Sequence, residues 1–321
     1  MLLWPLPARA QLADDQLEKR RTGESFLQRF KGSYINLTNY MGTGTFVTGF
    51  AGNPYYSIET LAYPRFHIAR SQSLRLLFSV DCELTQPDNA SGTRCHPSDL
   101  RLSYHYSPIV VDPWINGMLM GSFMVYAPTS RESQFNNTVM NIRTSLSYLA
   151  RFFDDRLEAA YSFSVQKYFP TTRYRGFSNT SDPGGDLPAF HTRSSAAEDG
   201  AVGSGGVMND NWLFINSFHV AYYFLPQLSL SVDFLIYNYI RYSVPQDAFF
   251  NEGLSETGRA DRMRGVVTLT YQPWKHLLLG LGVDTIQPPL NSKNEELRNP
   301  FWDKYLTNNF TKFYLSALFI Y

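Results

Sequence analysis

Apolar and polar residues alternate with a period of two along most of this chain. The clearest stretch is "VMNIRTSLSYLARF" (139–152), where Met140, Ile142, Leu146, Tyr148 and Phe152 oppose Asn141, Arg143, Ser145, Ser147 and Arg151. Successive side chains of a β-strand point to opposite faces, so this segment predicts a strand with one apolar and one polar face. The pattern predicts further strands near 31–40, 58–69, 73–84, 99–106, 117–127, 156–168, 211–224, 227–242, 261–272 and 276–287. A last one lies in "FTKFYLSALFIY" (310–321). The total is about twelve strands. Residues 11–30, "QLADDQLEKRRTGESFLQRF", break the pattern. They read as a charged, helical N-terminal segment, either solvated or folded back as a plug.

The connections are unequal in a regular way. Those leaving even-numbered strands are short: "RSQ" (70–72), "SPIVVDPWIN" (107–116), "FDD" (153–155), "LPQ" (225–227) and "QPWK" (272–275). Those leaving odd-numbered strands are long: 41–57, 85–98, 128–138, 170–210, 243–260 and 288–310. Only 107–116 is overlong for its set. A soluble sandwich has no reason to gather its long loops at one end, whereas an up-and-down barrel in a membrane does so.

Composition agrees with a sheet that is half apolar and half polar. Only 17% of the residues are charged against 16% aromatic, with 24 Phe and 21 Tyr. Soluble domains carry about 25% charged residues. No stretch approaches the ~18 continuous apolar residues of a transmembrane helix. The formal net charge is zero, which argues against a nucleic-acid partner, since phosphate neutralisation needs a basic excess.

"LLWPLPARA" precedes Gln11, and Ala8-Arg9-Ala10 fits a small-x-small cleavage pattern, so residues 1–10 read as the remnant of a signal peptide. Cys82 and Cys95 bracket the turn-rich run "ELTQPDNASGTR". Their position across one polar loop predicts a disulfide, which persists in an oxidising compartment. No second His or Cys pair offers zinc spacing, so neither a metal nor a cofactor is expected.

The ending carries a resemblance. Phe313, Leu315, Ala317, Phe319 and the final Tyr321 share one strand face. An aromatic last residue preceded by apolar residues at every second position resembles the C-terminal signature of Gram-negative outer-membrane β-barrel proteins. The resemblance implies an all-β, antiparallel up-and-down transmembrane barrel over 31–321, with short periplasmic turns and long extracellular loops. It also implies outer-membrane lipid and the barrel-assembly machinery as partners, the latter reading Phe313, Leu315, Phe319 and Tyr321. "YAPTSRES" (126–133) resembles the Pro-Thr-Gly-type stretch of exported barrels linked to aromatic-compound uptake, with Ser130 in place of the glycine. That match is too short to imply a substrate.

Closing the predicted strands turns Arg75, Arg101, Asn141, Arg143, Arg151, Glu158, His219, Asp233, Arg264, Asp284 and Lys312 inward. Eight strands leave a filled interior and sixteen an aqueous channel, so at twelve the lumen side chains decide whether a solute passes. Three functions fit. The first is a narrow channel for small polar or weakly anionic solutes. The second is a non-conducting barrel that presents surface loops or anchors an envelope protein partner. The third is a hydrolase, for which the support is weakest. None of the six histidines lies in the His-x-Ser-Asn-Gly stretch of outer-membrane phospholipases, and His191-Thr-Arg-Ser-Ser is the nearest approach. No catalytic residue is therefore assigned.

Overall fold

The structure is a computed structural model and describes residues 26–48, 54–85, 94–115, 117–173, 208–243, 258–290 and 296–321. The signal-like residues 1–10, the charged residues 11–25 and His191 lie outside these. Phe26–Phe30, the end of the segment expected to be helical, forms a 3-10 turn.

Strand segments dominate. They are β1 (Tyr34–Gly42), β2 (Tyr56–Tyr63), β3 (Arg65–Ala69), β4 (Gln72–Glu83), β5 (Arg94–Pro97), β6 (Leu100–Asp112) and β7 (Gly117–Ala127). After these come β8 (Thr138–Phe152), β9 (Leu157–Pro170), β10 (Asp210–Leu225), β11 (Leu228–Arg241), β12 (Arg259–Trp274), β13 (Leu277–Gln287) and β14 (Thr311–Ile320). Two staves are each built from two segments. β2 and β3 both pair with β4 and are separated only by Pro64, which has no N–H for the ladder. β5 and β6 also share β4, with Ser98 and Asp99 between them. There Ser98 Oγ accepts from Ser79 N at 3.0 Å, so a side chain takes the place of a ladder carbonyl.

Neighbouring strands pair antiparallel around the whole ring, and the β1–β14 and β2–β4 pairings close a barrel of 12 staves. The terminal strand is the seam. Tyr34 stands opposite Ile320, and the register runs unbroken to Gly42 opposite Lys312. In the bilayer every backbone N–H and C=O needs a protein partner. An alternating C-terminal strand supplies one without leaving an edge.

The observed strands lie close to the expected ones, with two corrections. The first is that β5 (Arg94–Pro97) pairs with β4 inside 85–98, which the sequence predicts as loop. Secondly, the sequence predicts a turn at 107–116, but β6 runs to Asp112 and pairs with β7 as far as Gly117. A register shift between Tyr106 and Val110 falls around Pro108, which interrupts the ladder without ending the strand. The true turn is short, like the others in its set.

The outer surface is apolar. Ile35, Leu76, Leu102, Leu146, Leu281 and Leu315 are all exposed and lie on outward positions of different staves. Phe153, Tyr222, Trp274 and Tyr321 are exposed around the turn end, where a membrane barrel carries an aromatic girdle. A soluble protein rarely exposes apolar patches beyond a few hundred Å². This belt runs around the barrel.

The last long loop packs on the outside of the barrel. Thr285 donates from Oγ1 to Phe301 O at 2.9 Å, and Phe301 lies 6.4 Å from the outward ring of Phe234. A Cβ at Gly265 would meet Pro300 O at 2.3 Å, so only glycine allows this approach. Asn309, in the left-handed region with φ 54°, accepts from Gly44 N at 2.7 Å. Thr43 donates to Leu306 O at 2.9 Å, so the loop also ties the β1 end of the seam. Thr285, Gln287 and Thr311 are therefore buried although they point away from the lumen.

Cys82 and Cys95 are cross-strand partners at the loop end of β4 and β5 and form the expected disulfide. A loop of this size, with a sequence separation of 13, gains roughly 3 kcal/mol in the chain-entropy model. Replacing both cysteines by serine should lower the temperature at which the compact, fast-migrating gel form is lost. An unchanged transition temperature would mean that the bridge adds nothing to the folded barrel.

Candidate functional site

The polar interior follows from strand parity. On β8 the buried residues Asn141, Arg143 and Arg151 alternate with the exposed Met140, Leu146 and Phe152. Register then decides which inward groups meet. Arg151 stands opposite Glu158, and Nε lies 3.1 Å from Oε2. Glu158, 1% exposed, has its other oxygen 3.9 Å from His219 Nε2. His219 Nδ1 lies 2.7 Å from Asp233 Oδ1 on the next stave. One charged network thus crosses β8, β9, β10 and β11.

A second pair lies on the adjoining staves, β12 and β13. Arg264 grips Asp284 through both carboxylate oxygens, Nε at 2.7 Å and the terminal nitrogen at 2.5 Å. Such a fork is the strongest ordinary ion-pair geometry. Lys312, opposite Asp284 on β14, holds its ammonium 4.2 Å from the centre of the Tyr55 ring.

Two arginines contact neutral groups instead. Arg143 donates to Gln166 Oε1 from Nε at 2.8 Å and from a terminal nitrogen at 2.5 Å. Arg75 donates to Tyr63 Oη at 3.0 Å and to Ser73 Oγ at 3.3 Å. Arg101 and Arg143 both lie 5.2 Å from the Tyr126 ring, and Arg75 lies 5.8 Å from that of Tyr63. Asn141 is buried nearby. The interior is not wholly polar. Tyr34, Leu61 and Leu77 cluster towards the turns, and Leu213, Ile215, Leu235 and Tyr237 form a second apolar group.

A cavity of about 250 Å³ opens between β10–β14 and β1. His219, Asp233, Arg264 and Asp284 border it, together with a hydroxyl-rich wall. The structure therefore brings these four expected residues together, while Arg75, Arg101 and Arg143 belong to another part of the wall. Sequence reading missed Tyr63, Tyr126 and Gln166, which receive the arginines. Tyr126 and Gln166 occupy inward positions by parity, so the signal was present, but a tyrosine or glutamine at such a position signals little by itself. Glu59 was missed as well. It is buried on β2 and stands opposite Asp81.

The former "YAPTSRES" stretch is resolved locally. Ser130 caps a short helix, α1 (Arg131–Phe135), accepting from Ser133 N at 3.1 Å. Asp99 accepts from Ser130 N at 2.9 Å and from the Ser133 hydroxyl at 2.6 Å. Here serine serves as an N-cap, a role that glycine fills without a side-chain acceptor.

A closed antiparallel barrel with an apolar, aromatic-girdled outside and a charged inside is a transmembrane β-barrel of the bacterial outer-membrane type. The outward Leu315, Phe319 and Tyr321 are exposed where lipid would be, while Phe313 is half-buried against Trp302 and Phe46. No family model and no curated protein matches the sequence. Among solved structures, an outer-membrane channel from Pseudomonas putida F1 superposes with a TM-score of 0.51 at 11% identity, over 94% of this chain and 100% of that one. The NanC porin gives a TM-score of 0.47 at 8% identity, over 90% of this chain and 99% of its own. The KdgM porin gives 0.43 at 10%, with the same coverage. At these identities the likeness is one of fold.

Proposed function

We propose that this barrel is a passive channel for small polar solutes, favouring weakly anionic ones, rather than an enzyme. The observation that carries this reading is the pair of buried arginines, Arg75 and Arg143, whose hydrogen bonds go to neutral groups. Arg151 and Arg264 each face a carboxylate, so their charges are locally balanced. A buried guanidinium needs either an anionic neighbour or water to offset its desolvation. On neutral partners it keeps an outward positive field, which draws an anion into a narrow lumen. The fold similarity to an outer-membrane channel supports the reading.

Single-channel recording in a planar bilayer tests it. A discrete conductance is expected, and under a KCl gradient the reversal potential should show anion preference. Arg143→Glu exchanges the charge and should move the reversal potential towards cation preference. A barrel that is folded and inserted but silent would overturn the channel reading and favour the anchoring or loop-presenting role. A conductance unaffected by Arg143→Glu would remove these arginines from the solute path.

A further inference from the structure

The cavity wall shows an order that the charged groups do not explain. Register aligns the inward side chains of β1, β14, β13, β12, β11 and β10 in rows. In one row Thr38 faces Ser316, followed by Gly280, Thr270, Ser229 and Tyr223, each opposite the next. The adjacent row towards the loops runs Tyr40, Tyr314, Gly282, Thr268, Ser231 and Ala221. Only in the row beyond does charge begin, with Lys312, Asp284, Asp233 and His219.

Two features make these rows a binding surface. The first is space. Gly280 contributes no side chain, and a Cβ there would come within 2.4 Å of Ser316 Oγ, so a side chain at this position would turn that hydroxyl aside and take up the space in front of it. The second is unused hydrogen-bonding capacity. Thr268 and Tyr314 bond to each other, and Thr38 Oγ1 accepts from Asn36 Nδ2 at 3.0 Å. Among the described residues, the hydroxyls of Ser229, Ser231, Thr270 and Ser316 have no protein partner. Each can both donate and accept.

Of the charged residues that line the cavity, Arg264 is engaged with Asp284 and His219 with Asp233, while Lys312 is not part of the lining and rests its ammonium on the Tyr55 ring. An ionic solute therefore finds no free counter-charge in this part of the wall. A solute whose own groups both donate and accept does find partners. The Tyr40 and Tyr314 rings, 5.8 Å apart, add an apolar face for C–H groups. At about 250 Å³ the space is smaller than the ~300–1,000 Å³ clefts that hold drug-sized ligands. It suits one small ring or a short chain.

We infer that this wall binds a small neutral polyhydroxylated solute, a monosaccharide or a sugar alcohol. The inference rests on the channel reading only for how the solute reaches the site.

The test is equilibrium binding to the intact chain in a zwitterionic detergent, which carries no sugar headgroup. Sorbitol, glucose and succinate are titrated in turn by calorimetry. Saturable binding of sorbitol or glucose, without binding of succinate, is the expected result. Gly280→Val fills the space and should weaken polyol binding about tenfold or more, the loss of one or two net hydrogen bonds. Ser229→Ala/Ser231→Ala adds no bulk and should weaken it several-fold; this double variant decides the matter if Gly280→Val does not fold. The proposal is overturned if neither polyol saturates, if succinate binds equally well, or if the folded variants bind like the parent. Conductance is read separately. A silent barrel that binds sorbitol keeps this site and loses the channel reading, whereas a conducting barrel that binds neither polyol loses only this site.

Discussion

Leu146→Arg is expected to leave most of the protein unassembled, as unfolded, slow-migrating material after refolding into lipid vesicles. Leu146 is 50% exposed near the middle of β8, on the face that alternates with Arg143 and Ser147. Its cross-strand neighbours are Gly121 and Phe163, so it stands within the apolar belt. A cationic side chain facing lipid costs about 2–4 kcal/mol at the bilayer midplane. That is a large share of the ~5–15 kcal/mol by which folded domains are stable. The measurement is the folded fraction in vesicles as urea is diluted. Normal assembly of Leu146→Arg would mean that the outer and inner faces of β8 are exchanged, and the whole register with them.

Glu158→Ala should give the largest loss of stability among interior changes. The carboxylate is almost completely buried between Arg151, at 3.1 Å, and His219, at 3.9 Å. Removing one member of a buried ion pair strands the other and costs about 3–5 kcal/mol. Urea unfolding followed by tryptophan fluorescence should show a lower midpoint. Replacing both partners, as in Glu158→Gln/Arg151→Met, should recover much of the loss, because no lone charge then remains. If the single and double variants unfold alike, the pair is solvated and the lumen is wet at this level. Either result reports on how much water the interior holds, which bears on conduction.

The physical origin of both effects was partly legible in the chain. The inward positions of Arg143, Arg151 and Glu158 followed from a period of two, because neighbouring strand residues must point to opposite sides. Their partners were not. Arg151 and Glu158 are near in sequence across a short turn, and a reader can expect them to meet. Arg264 and Asp284 are separated by 20 residues, and they meet only because β12 and β13 pair in one of several possible registers. A slip by two residues would keep every face and break that fork.

What the sequence determined by itself was therefore the set of strands, their two faces, the end at which long loops gather and the closing role of the last strand. All of these depend on local alternation, on loop length and on the need to satisfy backbone groups in lipid. The tertiary structure decided what depends on distant segments meeting. It extended the strand through 107–112 around a bulge at Pro108, and it laid residues 296–310 against Gly265 and Thr285 on the outer face. It also lined up Thr38, Ser316, Thr270 and Ser229, which are separated in the chain, into one row of hydroxyls. Alternation fixes which way a side chain points, but only register fixes what it points beside.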